Sequence, residues 1–338
     1  MVERRLSADA VQRAGVFAEL PAILVSGGVD PRNVLDALGT DTASLTYDSR
    51  IPLLTMLECY EKAAHALDCP HLGLIVGQRF SFKVHGVIGR LMMSAATLEE
   101  AILDFVTWQQ GYSTGAVVYL NKISGGSAFG YGSFVRSHPG AFYLYDAVTA
   151  VACRMVADLT KGKVRPVEVL LSHRRPANVK PYLQYLSGKV RFDQPQSCVI
   201  LDEVALSTPL PGRDLAVHNE SLSELKALSS KLMPSLALQM AHKIKPLLHR
   251  GLPKIEFAAR TMNLNSRTLR RHLLKEGTSF EKIRDQVRFA FACELLALTD
   301  LPIGEISSAL AYATHGAFNA AFHRWAGVTP SAWRATQS

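Results

Sequence analysis

The last third of the chain contains one local pattern twice, and this duplication constrains the fold more than any other feature of the sequence. In the first copy, from Pro253 to Gly277, an apolar helical pattern breaks at Asn263-Leu264-Asn265 and then resumes. Asparagine tolerates the left-handed backbone that a tight turn between helices requires, and Asn265 can cap the next helix by accepting from its free N–H groups. The pattern therefore predicts a helix-turn-helix unit.

The second helix of this copy has two chemically different faces. Leu269 and Leu273 are four residues apart on one face, which is typical of a helix that packs on a core. Arginine can bond guanine edges bidentately or clamp phosphates, so a short helix with an arginine-rich outer face suits a DNA major groove. The basic residues on the rest of this helix are Arg267, Arg270, Arg271 and Lys275.

The second copy runs from Leu301 to Arg334. Pro302 is expected to open its first helix, Ala311-Tyr312-Ala313 to make the turn, and Thr314 to cap the second helix. The pattern predicts a second helix-turn-helix unit, whose helices end before Gly327. The residues expected to face the core are Ile303, Ile306, Leu310, Phe318, Phe322 and Trp325.

A single amphipathic segment, Phe280 to Leu298, connects the two copies. Its apolar residues recur at helical spacing, which predicts a helix about 28 Å long. Successive major-groove faces of B-DNA lie about 34 Å apart along one side of the duplex. One chain could therefore hold two recognition helices in adjacent grooves. The apolar residues of this segment are Ile283, Val287, Phe291, Leu295 and Leu298.

These motifs together resemble the C-terminal domain of AraC/XylS-type bacterial transcription regulators. The segments that carry the resemblance are NSRTLRRHLLKEGTSF, QVRFAFACELLALTDLPIGEIS and AFHRWAGVTPSAWR. There are two departures from the family pattern. Relatives usually have Gly-Phe where this chain has Ala311-Tyr312, and often Ser-Arg where it has Asn319-Ala320. The resemblance implies binding to operator DNA and activation through contact with RNA polymerase.

Part of the N-terminal region resembles the effector domain of one branch of these regulators. The matching segments are VHGVIGRLMMSAATLEEAI and VKPYLQYLSGKVRFDQPQSCVILDEVALSTPLP. That domain is loosely described as arabinose-binding-like, although its members respond to varied ligands, so the name does not indicate a sugar. The residues that could line an effector pocket are Trp108, Tyr143, Tyr145, His85 and Arg136, and the sequence does not rank them.

Helical and strand patterns alternate in the N-terminal region. Thr97-Leu98-Glu99-Glu100 has the pattern of a capping box, and 211–219 has the composition of a loop. We predict a mixed, mostly α fold: an N-terminal α/β effector domain, then an all-α DNA-binding domain with two helix-turn-helix units joined by a linker helix. The predicted helices are Pro52 to about Cys69, Phe142–Leu159, Ser221–Leu232 and Ser235–His249, and the predicted strands are Gly115–Leu120, Ala128–Val135, Val164–Ser172 and Val199–Leu201.

We expect three parts in the chain of 338 residues. Residues 1–212 would be the effector and dimerisation domain, 213–234 the inter-domain connection, and 235–338 the DNA-binding domain, with helix-turn-helix units at 253–277 and 301–326.

The excess positive charge lies on the C-terminal third. From Ala241 onward the chain has 14 of its 37 Lys and Arg residues but only 7 of its 29 Asp and Glu residues. The net charge of the whole chain is +8, so this segment carries nearly all of it. Such a concentration is the electrostatic signature of a nucleic-acid-binding domain.

The sequence contains none of the motifs that would indicate an enzyme. We find no GxSxG elbow, no GxGxxG after a strand and no P-loop lysine, so we predict no catalytic residues and no cofactor. The spacing of Cys69 and His71, near His65 and His85, matches no familiar metal site. No secretory signal or membrane-spanning run is visible.

The cysteines are odd in number and widely scattered, which fits free thiols in a reducing cytoplasm. They are either small buried apolar side chains or, as the alternative, part of a redox or metal sensor. The cysteines are Cys59, Cys69, Cys153, Cys198 and Cys293.

We interpret the chain as a cytoplasmic, sequence-specific transcription regulator. It would be an activator that forms a homodimer, binds double-stranded operator DNA and RNA polymerase, and is controlled by an unidentified small-molecule effector. The alternative is a ligand-binding protein or enzyme whose helix-turn-helix domain is vestigial. We expect Arg288 and Arg324 to contact phosphates rather than bases, since phosphate contacts predominate in most interfaces. The residues predicted to contact DNA are Arg267, Thr268, Arg270, Arg271, Lys275, Arg288, His315, Gly316, Asn319 and Arg324.

Overall fold

A computed structural model of the chain has an N-terminal region of mixed helices and strands and a C-terminal region made of helices alone, which is the predicted fold class. Two apolar cores fill these regions, and each takes some residues from the other region. Val117 and Phe134 of the N-terminal region lie in the C-terminal core, whereas Leu298 lies in the N-terminal core. The structure describes residues 10–39, 44–109, 113–135, 137–229, 235–251 and 253–337.

The N-terminal region contains two sheets. One is a short antiparallel pair, β1–β2, and the other has five strands in the order β3-β4-β7-β5-β6. Within the larger sheet only β5 and β6 pair in parallel. The strands are β1 (Val11–Arg13), β2 (Arg50–Pro52), β3 (Ala116–Ile123), β4 (Gly126–Ser133), β5 (Glu168–Leu170), β6 (Lys189–Arg191) and β7 (Ser197–Asp202).

Helices surround the larger sheet, and short 3₁₀ segments at Gly15–Glu19, Asp36–Leu38 and Phe82–His85 connect some of them. The helices of this region are α1 (Leu20–Ser26), α2 (Pro31–Val34), α3 (Leu53–Ala66), α4 (Leu72–Gln78), α5 (Gly86–Ser94), α6 (Leu98–Gln109), α7 (Ala141–Leu159), α8 (Lys180–Tyr185), α9 (Glu203–Leu206) and α10 (Leu215–Ser229).

Helix α7 is the long buried helix of this region, and glycine lets α4 approach it closely. A Cβ atom on Gly73 would lie 2.1 Å from the carbonyl oxygen of Tyr143, and one on Gly77 would lie 2.6 Å from that of Ala147. Side chains at these two positions would push the helices apart. Glycine four residues apart is therefore required for this helix pair.

Two sequence predictions in this region need correction. Residues 211–219, predicted as a loop, include the start of α10, because the Asp214 carboxylate accepts from the backbone N–H groups of Ala216 and Val217 and so caps the helix. The strand predicted at Val164–Ser172 is only three residues long, and it pairs with β6 and β7.

Helix α10 packs against α5, where Arg90 pairs with Glu224. It also contacts α6, since His218 Nε2 lies within hydrogen-bond distance, 2.9 Å, of the Asp104 carboxylate. Leu225 of α10 is buried in the N-terminal core. The described part of the segment predicted as a connection therefore packs on the N-terminal region.

The C-terminal region follows the predicted pattern closely. The linker helix begins at Phe280 and ends at Leu298, as predicted, and its five predicted inward residues are all buried. The helices are α11 (Leu236–Ile244), α12 (Ile255–Arg260), α13 (Ser266–Lys275), α14 (Phe280–Leu298), α15 (Ile303–Ala309), α16 (His315–Ala326) and α17 (Pro330–Ala335), with a 3₁₀ segment at Lys245–Arg250 after α11.

Among the described residues, no helix has the length and hydropathy needed to cross a bilayer. The same part of the chain contains no group of three or more His, Cys, Asp or Glu side chains placed to hold a metal ion. All the cysteines are free thiols, and Cys69 alone among them is partly exposed.

Candidate functional site

The first helix-turn-helix unit consists of α12, a turn and α13. Asn263 adopts a left-handed conformation with φ 54°, and the Asn265 side chain accepts from the backbone N–H of Thr268 at 2.8 Å. Both roles were predicted from the sequence. Leu269 and Leu273 are fully buried, so the inner face of α13 is fixed against the core.

The outer face of α13 is basic. The side chains of Arg267, Arg270, Arg271 and Lys275 are all exposed, and Thr268 is half-buried beside them. Because Asn265 satisfies the backbone at its start, α13 can present these residues as one rigid row. The structure therefore brings the predicted contact residues of the first unit together.

The second unit, α15, a turn and α16, has the same architecture. Thr314 caps α16, since its hydroxyl accepts from the backbone N–H of Ala317 at 3.1 Å. Phe318 and Phe322 are fully buried, whereas Trp325 is half-buried and contacts the ring of Phe289.

The outer face of α16 differs from that of α13. His315 and Gly316 are exposed, but Asn319 is half-buried and its Oδ1 atom is enclosed without a hydrogen-bond partner among the described residues. Arg324 is exposed, and its guanidinium lies 4.0 Å from the Asp285 carboxylate of α14. The second unit therefore presents much less positive charge than the first.

The structure does not bring Arg288 to this surface. Its side chain is buried, its Nε donates to the carbonyl oxygen of Leu310 at 2.9 Å, and its Nη2 donates to that of Ala311 at 3.0 Å. The guanidinium also stacks 3.4 Å over the ring of Tyr312. Arg288 therefore supports the turn of the second unit, and the expectation that it contacts phosphate does not fit this geometry.

A buried polar cluster joins the two regions through the middle of the linker helix. Glu294 of α14 accepts from the Tyr145 hydroxyl at 2.5 Å and lies 2.8 Å from the Lys245 ammonium. Lys245 also donates to the carbonyl oxygen of Ser133, and the Ser133 N–H donates to the Tyr145 hydroxyl at 3.1 Å. Each charge has a partner, as burial requires. Burial and the nearby Glu294 raise the pKa of Tyr145, which keeps its hydroxyl a donor.

A second contact holds the C-terminal end of the linker helix. The Arg174 guanidinium donates to the carbonyl oxygen of Ala297 at 2.6 Å and to the Asp300 carboxylate at 2.6 Å. The Asp300 N–H in turn donates to the Asp193 carboxylate at 2.8 Å. The N-terminal region therefore binds α14 at two places, whereas the basic face of α13 stays exposed.

The role of Glu294 and Lys245 in joining the two regions was not predicted from the sequence. A signal was present, because Glu294 is the one charged residue in the otherwise apolar run from Phe291 to Leu298. A carboxylate on the buried side of a helix needs a partner, but the sequence could not indicate which residue supplies it.

The residues suggested for an effector pocket have different locations. His85 lines a cavity inside the N-terminal region, and Tyr143 lines a groove between the two regions. Tyr145 belongs to the cluster around Glu294, and Trp108 is half-buried beside the core. Arg136 lies outside the described residues.

Both regions of the chain match known protein families. Residues 28–210, more than half of the chain, match the arabinose-binding domain of AraC transcription regulators, and residues 258–336 match a helix-turn-helix domain. Both of these domains are found in transcription regulators rather than in enzymes.

Individual proteins of known sequence or structure also resemble the chain. The chain is 28% identical over 273 residues to the ornithine utilization regulator of Pseudomonas aeruginosa, an alignment that covers 78% of each protein. It is 26% identical over 294 residues to the HTH-type transcriptional regulator VirS of Mycobacterium tuberculosis, covering 85% of each. The crystal structure of the transcriptional regulator CdpR from P. aeruginosa aligns with a TM-score of 0.45 at 24% identity, over 90% of this chain and 96% of that one.

Proposed function

The chain belongs to the AraC family of DNA-binding transcription regulators, and from this premise we propose that it is an activator controlled by a small-molecule effector. The observation that carries the proposal is the position of the linker helix. Both helix-turn-helix units are attached to α14, and the N-terminal region forms hydrogen bonds with the same helix at Glu294 and at its C-terminal end. A change in those contacts would alter the positions of both units together.

In the proposed complex, α13 and α16 enter successive major grooves. Arg267 and Arg270 read bases, with Thr268, Arg271 and Lys275 supporting α13 on the backbone. The second unit contributes His315, Gly316 and Asn319 near the start of α16, and Arg324 clamps a phosphate. Arg288 is left out of this set because the turn of the second unit already uses its guanidinium.

The proposed division of labour places effector binding and dimerisation before residue 213 and DNA binding after residue 234. Binding of an effector would shift the equilibrium between two arrangements of the regions, because only a ligand with different affinities for them can do so. The active arrangement would bind operator DNA in the cytoplasm and contact RNA polymerase.

The proposed DNA contacts can be tested with quantitative gel shifts on the full chain, using a site obtained by selection from a randomised library. The double variant Arg267→Ala/Arg270→Ala should bind this site about 25-fold or more weakly. Arg165→Ala removes one exposed positive charge from the N-terminal region and is the control. Equal binding by the double variant and the control would contradict the proposal.

Salt dependence provides a second readout. Each phosphate contact adds about 0.9 to the steepness with which log affinity falls against log salt concentration. Arg324→Ala should therefore make that slope shallower by about 0.9. The Arg165→Ala slope should equal that of the unchanged chain. An unchanged slope for Arg324→Ala would show that Arg324 does not bind phosphate.

Activation and dimerisation require their own measurements. Transcription in vitro from a promoter carrying the selected site should rise when the chain is added to RNA polymerase; a fall would indicate repression. Sedimentation should show a homodimer that persists in a fragment ending before residue 213. A strict monomer, both free and on DNA, would contradict the proposed dimer.

A further inference from the structure

A cavity of about 100 Å³ lies inside the N-terminal region, between the β4–β7 part of the sheet, helix α7 and strand β1. Most of its wall is apolar, including Phe105, Phe129, Leu144 and Met155. An apolar cavity of about 150 Å³ can hold benzene, so this smaller one accommodates a compact molecule of fewer heavy atoms than benzene.

Three polar atoms in the wall of this cavity have no hydrogen-bond partner among the described residues. They are Oε1 of Gln12, Nε2 of His85 and the hydroxyl of Tyr131. Gln12 and Tyr131 are only 7% and 8% exposed. A buried polar group without a partner costs about 1–3 kcal/mol, so one cavity with three of them is built to receive a polar group from elsewhere.

The protonation of His85 follows from its neighbour. The guanidinium of Arg13, which can only donate, lies 3.3 Å from His85 Nδ1, so Nδ1 accepts and Nε2 carries the hydrogen. Burial and the charge of Arg13 lower the pKa of His85 to about 3, which keeps the ring neutral. The residues that line the cavity therefore include a donor at His85, an acceptor at Gln12 and a hydroxyl at Tyr131, each without a partner among the described residues.

The wall does not offer a charge to a ligand. Arg13 is the one charged side chain among the described lining residues, and its Nε and Nη2 donate to the Asp48 carboxylate at 2.9 and 2.8 Å. A charged ligand would lose its hydration without gaining a new counterion. A sugar fits no better, because hydroxyls on most of its carbons would face apolar side chains.

We propose that this cavity is the effector site and that it takes a compact, uncharged, mainly apolar molecule with one polar end that both donates and accepts hydrogen bonds. A carboxamide or an alcohol with a short alkyl chain has this chemistry. The proposal rests on the proposed effector control, for which it names the site and the class of ligand.

Two tyrosines in contact with each other connect this cavity to the linker helix. The ring of Tyr131 packs edge-on against that of Tyr145, with centroids 5.8 Å apart, and the Tyr145 hydroxyl donates to Glu294 of α14. A ligand that bonds Tyr131 therefore acts on a ring that contacts the buried inter-domain cluster. Its binding would therefore affect the contacts of the helix that carries both helix-turn-helix units.

The test is calorimetric titration of the full chain with acetamide, propionamide and isopropanol, alongside propionate and arabinose. At least one of the uncharged compounds should bind, and propionate and arabinose should bind about tenfold or more weakly than the best of them. Absence of binding by all three uncharged compounds, or tighter binding of propionate or arabinose, would overturn the proposal.

Variants locate the site. Tyr131→Phe and His85→Phe should each weaken binding of the best compound about three- to tenfold, whereas Tyr119→Phe should leave it unchanged. Tyr119 is the matched control, because its hydroxyl bonds Gln196 and it does not line this cavity. Thermal melts without ligand show whether each variant is folded. Unchanged binding in both Tyr131→Phe and His85→Phe would overturn the proposal.

A last variant separates the site from the proposed function. Tyr145→Phe should still bind the compound but lose its effect on DNA affinity, since the bond to Glu294 is gone. Calorimetry requires no DNA, and the gel shift requires no ligand. If no ligand binds, the gel shift can still show DNA binding. If no DNA binds, calorimetry can still show the ligand site.

Discussion

The two helix-turn-helix units share a backbone design but differ in how the turn is supported and in what the outer helix presents. Each turn has a non-glycine residue in the left-handed conformation, Asn263 in the first unit and Ala311 in the second, where φ is 57°. Asparagine tolerates this conformation better than alanine does. The second turn compensates with Arg288, which binds the carbonyl oxygens of Leu310 and Ala311.

This difference suggests separate roles for the two units. Among the described residues, no arginine side chain supports the turn of the first unit, and Arg267, Arg270 and Arg271 are exposed to solvent. The second uses an arginine internally and has Ala320 at an exposed position of its outer helix. We therefore propose that the first unit reads bases and that the second holds the DNA backbone.

The largest expected effect is loss of the turn support in the second unit. Arg288→Ala leaves two carbonyl oxygens without their donor and removes the contact with Tyr312, so it should lower the free energy of unfolding by about 2–4 kcal/mol. Arg288→Lys should not restore it, because an ammonium lacks the planar fork. Urea denaturation measures the change.

Arg284→Ala, one turn earlier on the same helix, is the control for that experiment. Among the described residues its guanidinium forms an ion pair with Asp285 alone, at 3.5 Å, and its removal should cost less than about 1 kcal/mol. If the two alanine variants were equally stable, Arg288 would not be the support of the turn.

A second change should give the second unit a stronger base preference. Ala320→Arg restores the arginine often found in relatives, and a bidentate contact to guanine would add about 1–3 kcal/mol of discrimination at one position of the second half-site. Ala332→Arg adds the same charge on α17, away from the groove, and should raise affinity without new preference. Site selection with both variants compares them; identical selected sites would argue against a groove position for residue 320.

The smallest expected effect concerns the turns themselves. Ala311→Gly relieves the left-handed alanine and should raise the free energy of unfolding by about 0.5–1 kcal/mol, after allowing for the greater freedom of glycine in the unfolded chain. Asn263→Gly should gain less, because asparagine already tolerates the conformation. Equal gains would show that the two turns are not differently strained.

Local features were predicted well from the sequence. The linker helix has its predicted limits, Asn265 and Thr314 cap the helices expected of them, and the hydroxyl of Thr97 accepts from Glu100 N–H as its capping pattern predicts. Periodicity and capping depend on residues within a few positions of one another, so one sequence contains the necessary information.

Long-range partners could not be predicted in this way. Tyr145 and Glu294 are 149 residues apart, and Arg288 reaches a turn 22 residues further along the chain. We expected Arg288 to contact phosphate, because the sequence does not show which neighbour its side chain meets. The cavity likewise depends on Gln12, His85 and Tyr131, which come together only through the packing of three separate elements.

Site selection from a randomised DNA library tests the central claim most directly, with the unchanged chain, Arg267→Ala, Arg270→Ala and Asn319→Ala compared side by side. The account predicts that each arginine variant loses preference at defined base pairs of one half-site, about 1–3 kcal/mol at each, whereas Asn319→Ala selects the same site as the unchanged chain. If Asn319→Ala changed the preferred site while both arginine variants kept it, the assignment of base reading to the first unit would be wrong.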